Sequence, residues 1–429
     1  MKVINNPSPD TWKEICKRPE VSPDKLDLTV RDILSRVRTS GDAALIALTR
    51  KFDQVTIEQV VVSEDEILSA ESSLDADLKS AIEAADANID KFHRVQKHDR
   101  NVIETMPGVQ CWREAVPIDK IGIYIPGGSA PLFSTVLMLG IPARLAGCRE
   151  VILCTPPDKS GRINPAVLFA ARTVGIKKIF CVGGAQAIGA MAYGTESIPQ
   201  VYKIFGPGNQ FVTRAKQIVS EEGIAIDMPA GPSEVLVLAD EYAEPAFIAA
   251  DLLSQAEHGT DSQVVLVINE KVDTVAIQNE IDSQLQQLPR KEIAEKSLLN
   301  SRIVSFSSDD MAMNFVNAYA PEHLIINTKN ARALAQKVIN AGSVFLGAFT
   351  PESAGDYASG TNHTLPTNGY ARAMAGVSLE SFLKYITFQE ITREGIKALG
   401  PVVETMAEAE SLHGHKAAVS KRLEYLNKE

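Results

Sequence analysis

The chain has 429 residues, 45% hydrophobic and 23% charged, with a formal net charge of −11 at pH 7. That length gives room for a large core and more than one domain, and the composition is that of a globular protein in water. The acidic balance argues against nucleic acid and anionic membranes as partners.

No positively charged, cleavable apolar leader opens the chain and no apolar run reaches membrane-spanning length, so a cytoplasmic protein is expected. Five scattered cysteines without a CxxC pair suit a reducing compartment better than a disulfide framework. Residues 1–22 read as a short helical arm, with Ser8 placed as a cap. Residues 28–51 set Val30, Ile33, Leu34, Val37 and, past Gly41, Ala44, Leu45 and Leu48 at helical spacing. Residues 63–96 give a further helical pair, and all of this text reads as packing scaffold.

Character changes near Lys120. "KIGIYIPGG" is an apolar strand running into Gly127, Gly128 and Ser129; "EVILCTPP", "KKIFCVGG" and "VYKIFGPGN" are three more, and a helix follows each. Strand–glycine–helix alternation predicts a parallel, doubly wound sheet. Glycine turns at strand ends let a phosphate approach helix N-termini. No stretch matches GxGxxG with an acid about 20 residues on, so a bound dinucleotide and tight, ligand-free connections both stay open.

From "PAGPSEVLVLAD" a second alternation begins, with strands expected at 234–239, 263–268, 302–306, 322–326 and 343–347 and helices at 244–257, 273–287, 309–318 and 329–340. The segment 347–369 is long for a loop and carries Glu352, Asp356 and His363, which favours a functional role. Residues 391–411 and 416–427 form a helical tail, and Pro401 is expected to break or kink its first helix. Such an arm must dock on its own body or on a partner subunit.

Five of the seven histidines, His258, His323, His363, His413 and His415, lie in this second part. Gln255 and His258, three apart, share a face at a helix end. With Asp356 and His415 they could close a zinc shell of nitrogen and oxygen donors, which suits a catalytic rather than a structural ion. Alone, His258 reads more readily as a helix cap or a satisfied core residue than as a ligand. Glu322 and His323 could activate water and act as a general base. Neighbours in a strand face opposite ways, so both serve one site only if the backbone bends, as Pro321 suggests. An exposed Glu beside a strand-capping His is the plainer reading.

From about Arg31 to its end, the sequence resembles histidinol dehydrogenase, the enzyme of the last two steps of histidine synthesis. The stretches that carry the likeness are "YIPGGSAPLFSTVLML", "VGGAQAI", "KIFGPGN", "DMPAGPSEVLV", "DLLSQAEHG", "PEHL" and "SAGDYASGTNH". The resemblance implies an α/β fold of two incomplete Rossmann-like units with small helical terminal segments, the C-terminal one exchanged in a homodimer with shared active sites. It implies one zinc per subunit on Gln255, His258, Asp356 and His415, and NAD near Tyr124, Gln186 and Asn209. L-Histidinol would meet Ser233, His323, Glu410 and the zinc ligands, with Glu322 and His323 as the acid/base pair. The domains expected are an arm at 1–22, a zinc and substrate domain of 23–123 with 234–378, an NAD domain at 124–233, and a C-terminal arm at 379–429. Another amino alcohol or a diol as substrate, or a zinc hydrolase, are the competing readings.

Overall fold

The structure, a computed structural model, describes residues 1–19, 23–97, 99–127, 131–228 and 231–428. Gly128 and Ser129 of the first glycine turn, and His98, lie outside the described residues. Packing divides the chain into two units, Met1–Val95 with Ile118–Phe382 and Gln96–Pro117 with Leu383–Glu429.

The larger unit opens with β1 (Lys2–Asn5) and α1 (Trp12–Ile15). In α2 (Pro23–Phe52) two helical halves meet at Gly41, where φ is 48°. α3 (Glu64–Ser69) and α4 (Ala76–Arg94) start where the Ser63 and Asp75 side chains accept from the backbone N–H groups of Glu66 and Leu78. β2 (Val102–Met106) and β3 (Val109–Pro117) belong to the smaller unit. The first alternation gives β4 (Lys120–Tyr124), α5 (Phe133–Ala146), β5 (Glu150–Thr155), α6 (Pro165–Thr173), β6 (Lys178–Cys181), α7 (Gly184–Tyr193), β7 (Lys203–Phe205), α8 (Gln210–Glu221) and β8 (Ala225–Ile226).

These five strands form one parallel sheet in the order β6-β5-β4-β7-β8. With both faces covered by helices, the central strands are apolar along nearly their whole length. The order reverses at β4, with β5 on one side and β7 on the other. In open α/β sheets, ligands sit in the crevice beyond the carboxyl ends at that reversal. Tyr124 ends β4 and Asn209 caps α8 just past β7, so the two flank the crevice.

The packing departs from the expected grouping of 23–123 with the second sheet. Val30, Leu34, Val37, Leu45 and Leu48 of α2 share a core with Tyr124, Ile188 and Val212, and α4 packs on α5. An apolar stripe shows that a helix has a buried face; it does not say which sheet covers it.

The second alternation supplies β9 (Glu234–Ala239), α9 (Pro245–Ala256), β10 (Gln263–Asn269), α10 (Thr274–Leu285), α11 (Lys291–Leu299), β11 (Arg302–Phe306), α12 (Asp309–Tyr319), β12 (His323–Asn327), α13 (Ala331–Ala335) and β13 (Ser343–Leu346). They build a parallel sheet ordered β1-β11-β10-β9-β12-β13. Residues 2–5, expected in a helical arm, are its edge strand, with Lys2 opposite Arg302. β1 aside, both sheets run third, second, first, fourth, fifth in their own strand sequence. Apolar clusters fill both faces of the second sheet. The long segment after β13 carries α14 (Glu352–Tyr357).

In the smaller unit, β14 (Leu383–Ile391) pairs antiparallel with β3, and β3 with β2. α15 (Arg393–Ala409) and α16 (His413–Leu426) pack together. This unit thus contains a sheet where only a C-terminal helical arm was expected. α15 runs through Pro401 without ending there. No described helix is long and apolar enough to cross a membrane.

Candidate active site

The bend that Pro321 suggested comes one residue earlier. Ala320 closes α12 with φ 55° and ψ 67°, a left-handed conformation uncommon outside glycine. The chain then enters β12 with Glu322 and His323 gathered around the first peptide of β9. The Glu234 N–H donates to Glu322 Oε2 at 2.8 Å, and His323 Nδ1 lies 3.1 Å from the Glu234 carbonyl. The two side chains approach to 3.6 Å and are 6% and 3% exposed. They are therefore one buried cluster, not an exposed acid beside a strand cap.

Three further elements converge on His323. Asp356 of α14 sets Oδ1 at 3.2 Å from Nε2, and Gln255, near the end of α9, sets its amide nitrogen 3.2 Å from Nδ1. His258, in the turn after α9, is within electrostatic reach of both Asp356 and His323. Glu352, also on α14 and fully buried, accepts from Ser254 Oγ at 2.9 Å. His363 is tied to the Asp356 carbonyl at 2.7 Å and to Thr135 Oγ1 at 2.9 Å.

Burial raises the Glu322 carboxyl, with His323 opposing. Burial alone would lower His323, but Glu322, Asp356 and Glu352 outweigh it and hold the imidazole well above its ordinary value. Burial would raise Asp356; the His323 hydrogen bond and the neighbouring imidazoles keep it low. Glu352 is pushed up to about 8, chiefly by burial.

Among the described residues, no three His, Cys, Asp or Glu side chains are grouped to hold a metal ion. The expected zinc set brings only two such side chains to this unit, His258 and Asp356, beside the Gln255 amide. Gln255 Oε1 is buried without a hydrogen-bond partner among the described residues. A buried, unsatisfied oxygen in the cluster that also holds Asp356 and His258 fits a cation with nitrogen and oxygen ligands. Glu410, closing α15, and His415, in the first turn of α16, belong to the smaller unit, where both are exposed.

The residues expected near NAD converge elsewhere in the larger unit. Tyr124, Gln186 and Asn209 line one cavity of about 360 Å³ with Gly127, Pro156 and Gly184. A neighbouring cavity of about 340 Å³ shares Tyr124, Gly127 and Asn209 and is also lined by Ser233 and His258. The Tyr124 hydroxyl accepts from the Gly184 N–H, the first of α7, at 3.1 Å, and burial raises the phenol. Asn209 Oδ1 accepts from the N–H groups of Phe211 and Val212 at 3.0 and 3.1 Å. Behind Asn209, Gly206 has φ 127°, and a Cβ there would sit 2.0 Å from the Tyr124 carbonyl oxygen. The buried Lys216–Asp227 pair fixes this turn: Lys216 donates to the Gly206 carbonyl and Asp227 accepts from its N–H.

Sequence reasoning missed Arg18 and Glu234. They form a buried ion pair at 2.8 Å, with Arg18 stacked 3.7 Å over the Tyr319 ring. Glu234 stands in the quoted stretch "DMPAGPSEVLV", but its role comes from a backbone unit, which residue type does not reveal.

The histidinol dehydrogenase family profile matches residues 16–423. A histidinol dehydrogenase of Bacteroides thetaiotaomicron is 58% identical over 426 residues, 99% of this chain and 100% of that protein. A chloroplastic histidinol dehydrogenase of Arabidopsis thaliana is 53% identical over 95% of this chain and 87% of its own. The crystal structure of histidinol dehydrogenase from Elizabethkingia anophelis superposes with a TM-score of 0.96 at 56% identity, covering 100% of this chain and 99% of that one. With its mixed α/β fold and parallel sheets matched along the whole length, the chain belongs to the histidinol dehydrogenase family.

Proposed function

We propose that the chain oxidises L-histidinol to L-histidine through L-histidinal, the last two steps of histidine biosynthesis, with two NAD. The observation that carries this reading is one cavity lined by Tyr124 and Asn209 together with Ser233 and His258, with His323 within electrostatic reach of His258. Both sheets then act as incomplete Rossmann-like units. The first presents the carboxyl ends of its strands to the ligand, while the second contributes the amino-terminal ends of β9 and β12.

In the first stage His323 takes the proton of the primary alcohol while the carbinol carbon gives up a hydride. In the second, Glu322 takes a proton from the water that adds to the aldehyde, and His323 assists as the hydrate is oxidised. NAD, held by Tyr124, Gln186 and Asn209, would supply the hydride acceptor of each stage. Zinc, held by Gln255, His258, Asp356 and a His415, would orient the substrate imidazole and amine. Ser233 and Glu410 complete the substrate contacts. Buried walls around Glu322 and His323 keep bulk water from the aldehyde between stages. The working form is a cytoplasmic homodimer in which the tail carrying Glu410 and His415 completes the partner's site.

The test is the NADH formed per L-histidinol consumed, with and without a chelator and zinc restoration. Two NADH, lost on chelation and regained with zinc, are expected. One NADH would remove the aldehyde step, and turnover without NAD would turn the reading to a hydrolase.

A further inference from the structure

Folds that bind dinucleotides commonly place an acid at the end of the second strand, where it receives the ribose hydroxyls. Here that strand is β5, and it ends in Thr155-Pro156-Pro157. The nearest acid, Asp158, is engaged in its own turn: one oxygen accepts from the Ser160 hydroxyl at 2.6 Å and from the N–H groups of Ser160 and Arg162 at 2.8 and 3.1 Å.

An acid reaches the cavity from a different element. Asp53 follows the last residue of α2, its N–H bonded to the Thr49 carbonyl at 2.9 Å, and it lines the same cavity as Tyr124, Gln186 and Asn209. Its Oδ2 is buried and has no hydrogen-bond partner among the described residues. Burial alone raises its pKa; no cation opposes. A buried carboxylate oxygen without a donor is costly to the free chain. Turned toward the cavity that Asp53 lines, that oxygen would be satisfied by a ligand with two adjacent hydroxyls.

We infer that Asp53 receives the ribose hydroxyls of NAD and so sets the preference for NAD over NADP. A carboxylate accepts from both hydroxyls of a diol, whereas a phosphate on one of them would bring like charges together in a partly buried wall. Asp53 thus takes the place of the acid absent from β5. This rests on the NAD reading above.

The experiment is calorimetric titration of the full-length protein with NAD and with NADP, for the parent, Asp53→Asn and Asp53→Ala. The parent is expected to bind NAD and to bind NADP far more weakly. Asp53→Ala should weaken NAD about tenfold or more, as for loss of a charge-assisted hydrogen bond. Asp53→Asn should lose less NAD affinity and gain on NADP. Both variants should melt no lower than the parent, since Oδ2 gives up no bond. Unchanged NAD affinity in folded Asp53→Ala would overturn the assignment and leave the NAD reading intact. A parent that binds neither dinucleotide would overturn both.

Discussion

At the scale of single residues, the cluster around His323 is organised by proximity of charge rather than by sequence neighbours. Three carboxylates from two segments, Glu322 and then Glu352 and Asp356, hold one buried imidazole well above its ordinary value. Asp356 and His323 form the closest such contact, at 3.2 Å. His323 is assigned as a base and not as a ligand; a zinc beside it would oppose the pull of the carboxylates and leave the imidazole free to take a proton, so His323→Asn should lower kcat about 10²–10⁴-fold with zinc content unchanged by atomic absorption. A metal-free variant would make His323 a ligand instead. The sequence pointed to Glu322, His323, Gln255, His258 and Asp356 through residue type and local context. It could not point to the Glu234 backbone, whose N–H and carbonyl meet the two members of the pair, because backbone groups are common to every residue.

At the scale of elements, legibility followed burial. Strands β9 to β13 were readable because they are apolar and bounded by turns. β2 and β14 are exposed along nearly all their length, so neither shows the alternation that marks a half-buried strand. The turn from β7 to α8 was readable as a glycine turn, but its demand on Gly206 needs the neighbouring strand to be seen. Gly206→Ala would meet the Tyr124 carbonyl at 2.0 Å with φ at 127°, a backbone clash combined with a conformation closed to L side chains. A loss of about 2–4 kcal/mol in urea unfolding is expected, along with weaker NAD binding as Asn209 shifts. An alanine variant with the parent's midpoint would show that the turn relaxes freely.

At the scale of the whole molecule, the active sites are proposed to be shared between subunits, and this can be tested by mixing. Glu322→Gln disables the body of one chain and His415→Ala disables the tail of the other. Subunits exchanged at random would give half heterodimers with one sound site each, so activity should recover to about a quarter of the parent's. Sites built within one chain would recover nothing. Neither the sharing nor the packing of α2 could be read from apolar periodicity, which identifies a buried face but not its partner.

β1 also bears on how the chain is made. It pairs with β11, Lys2 against Arg302, so its partner leaves the ribosome about 300 residues later. At about 5–20 residues per second that is a delay on the order of 15–60 s. Within that time the last strand of the first sheet, β8, is also made, while β1 waits for β11. The first strand made thus waits unpaired until most of the chain has followed it.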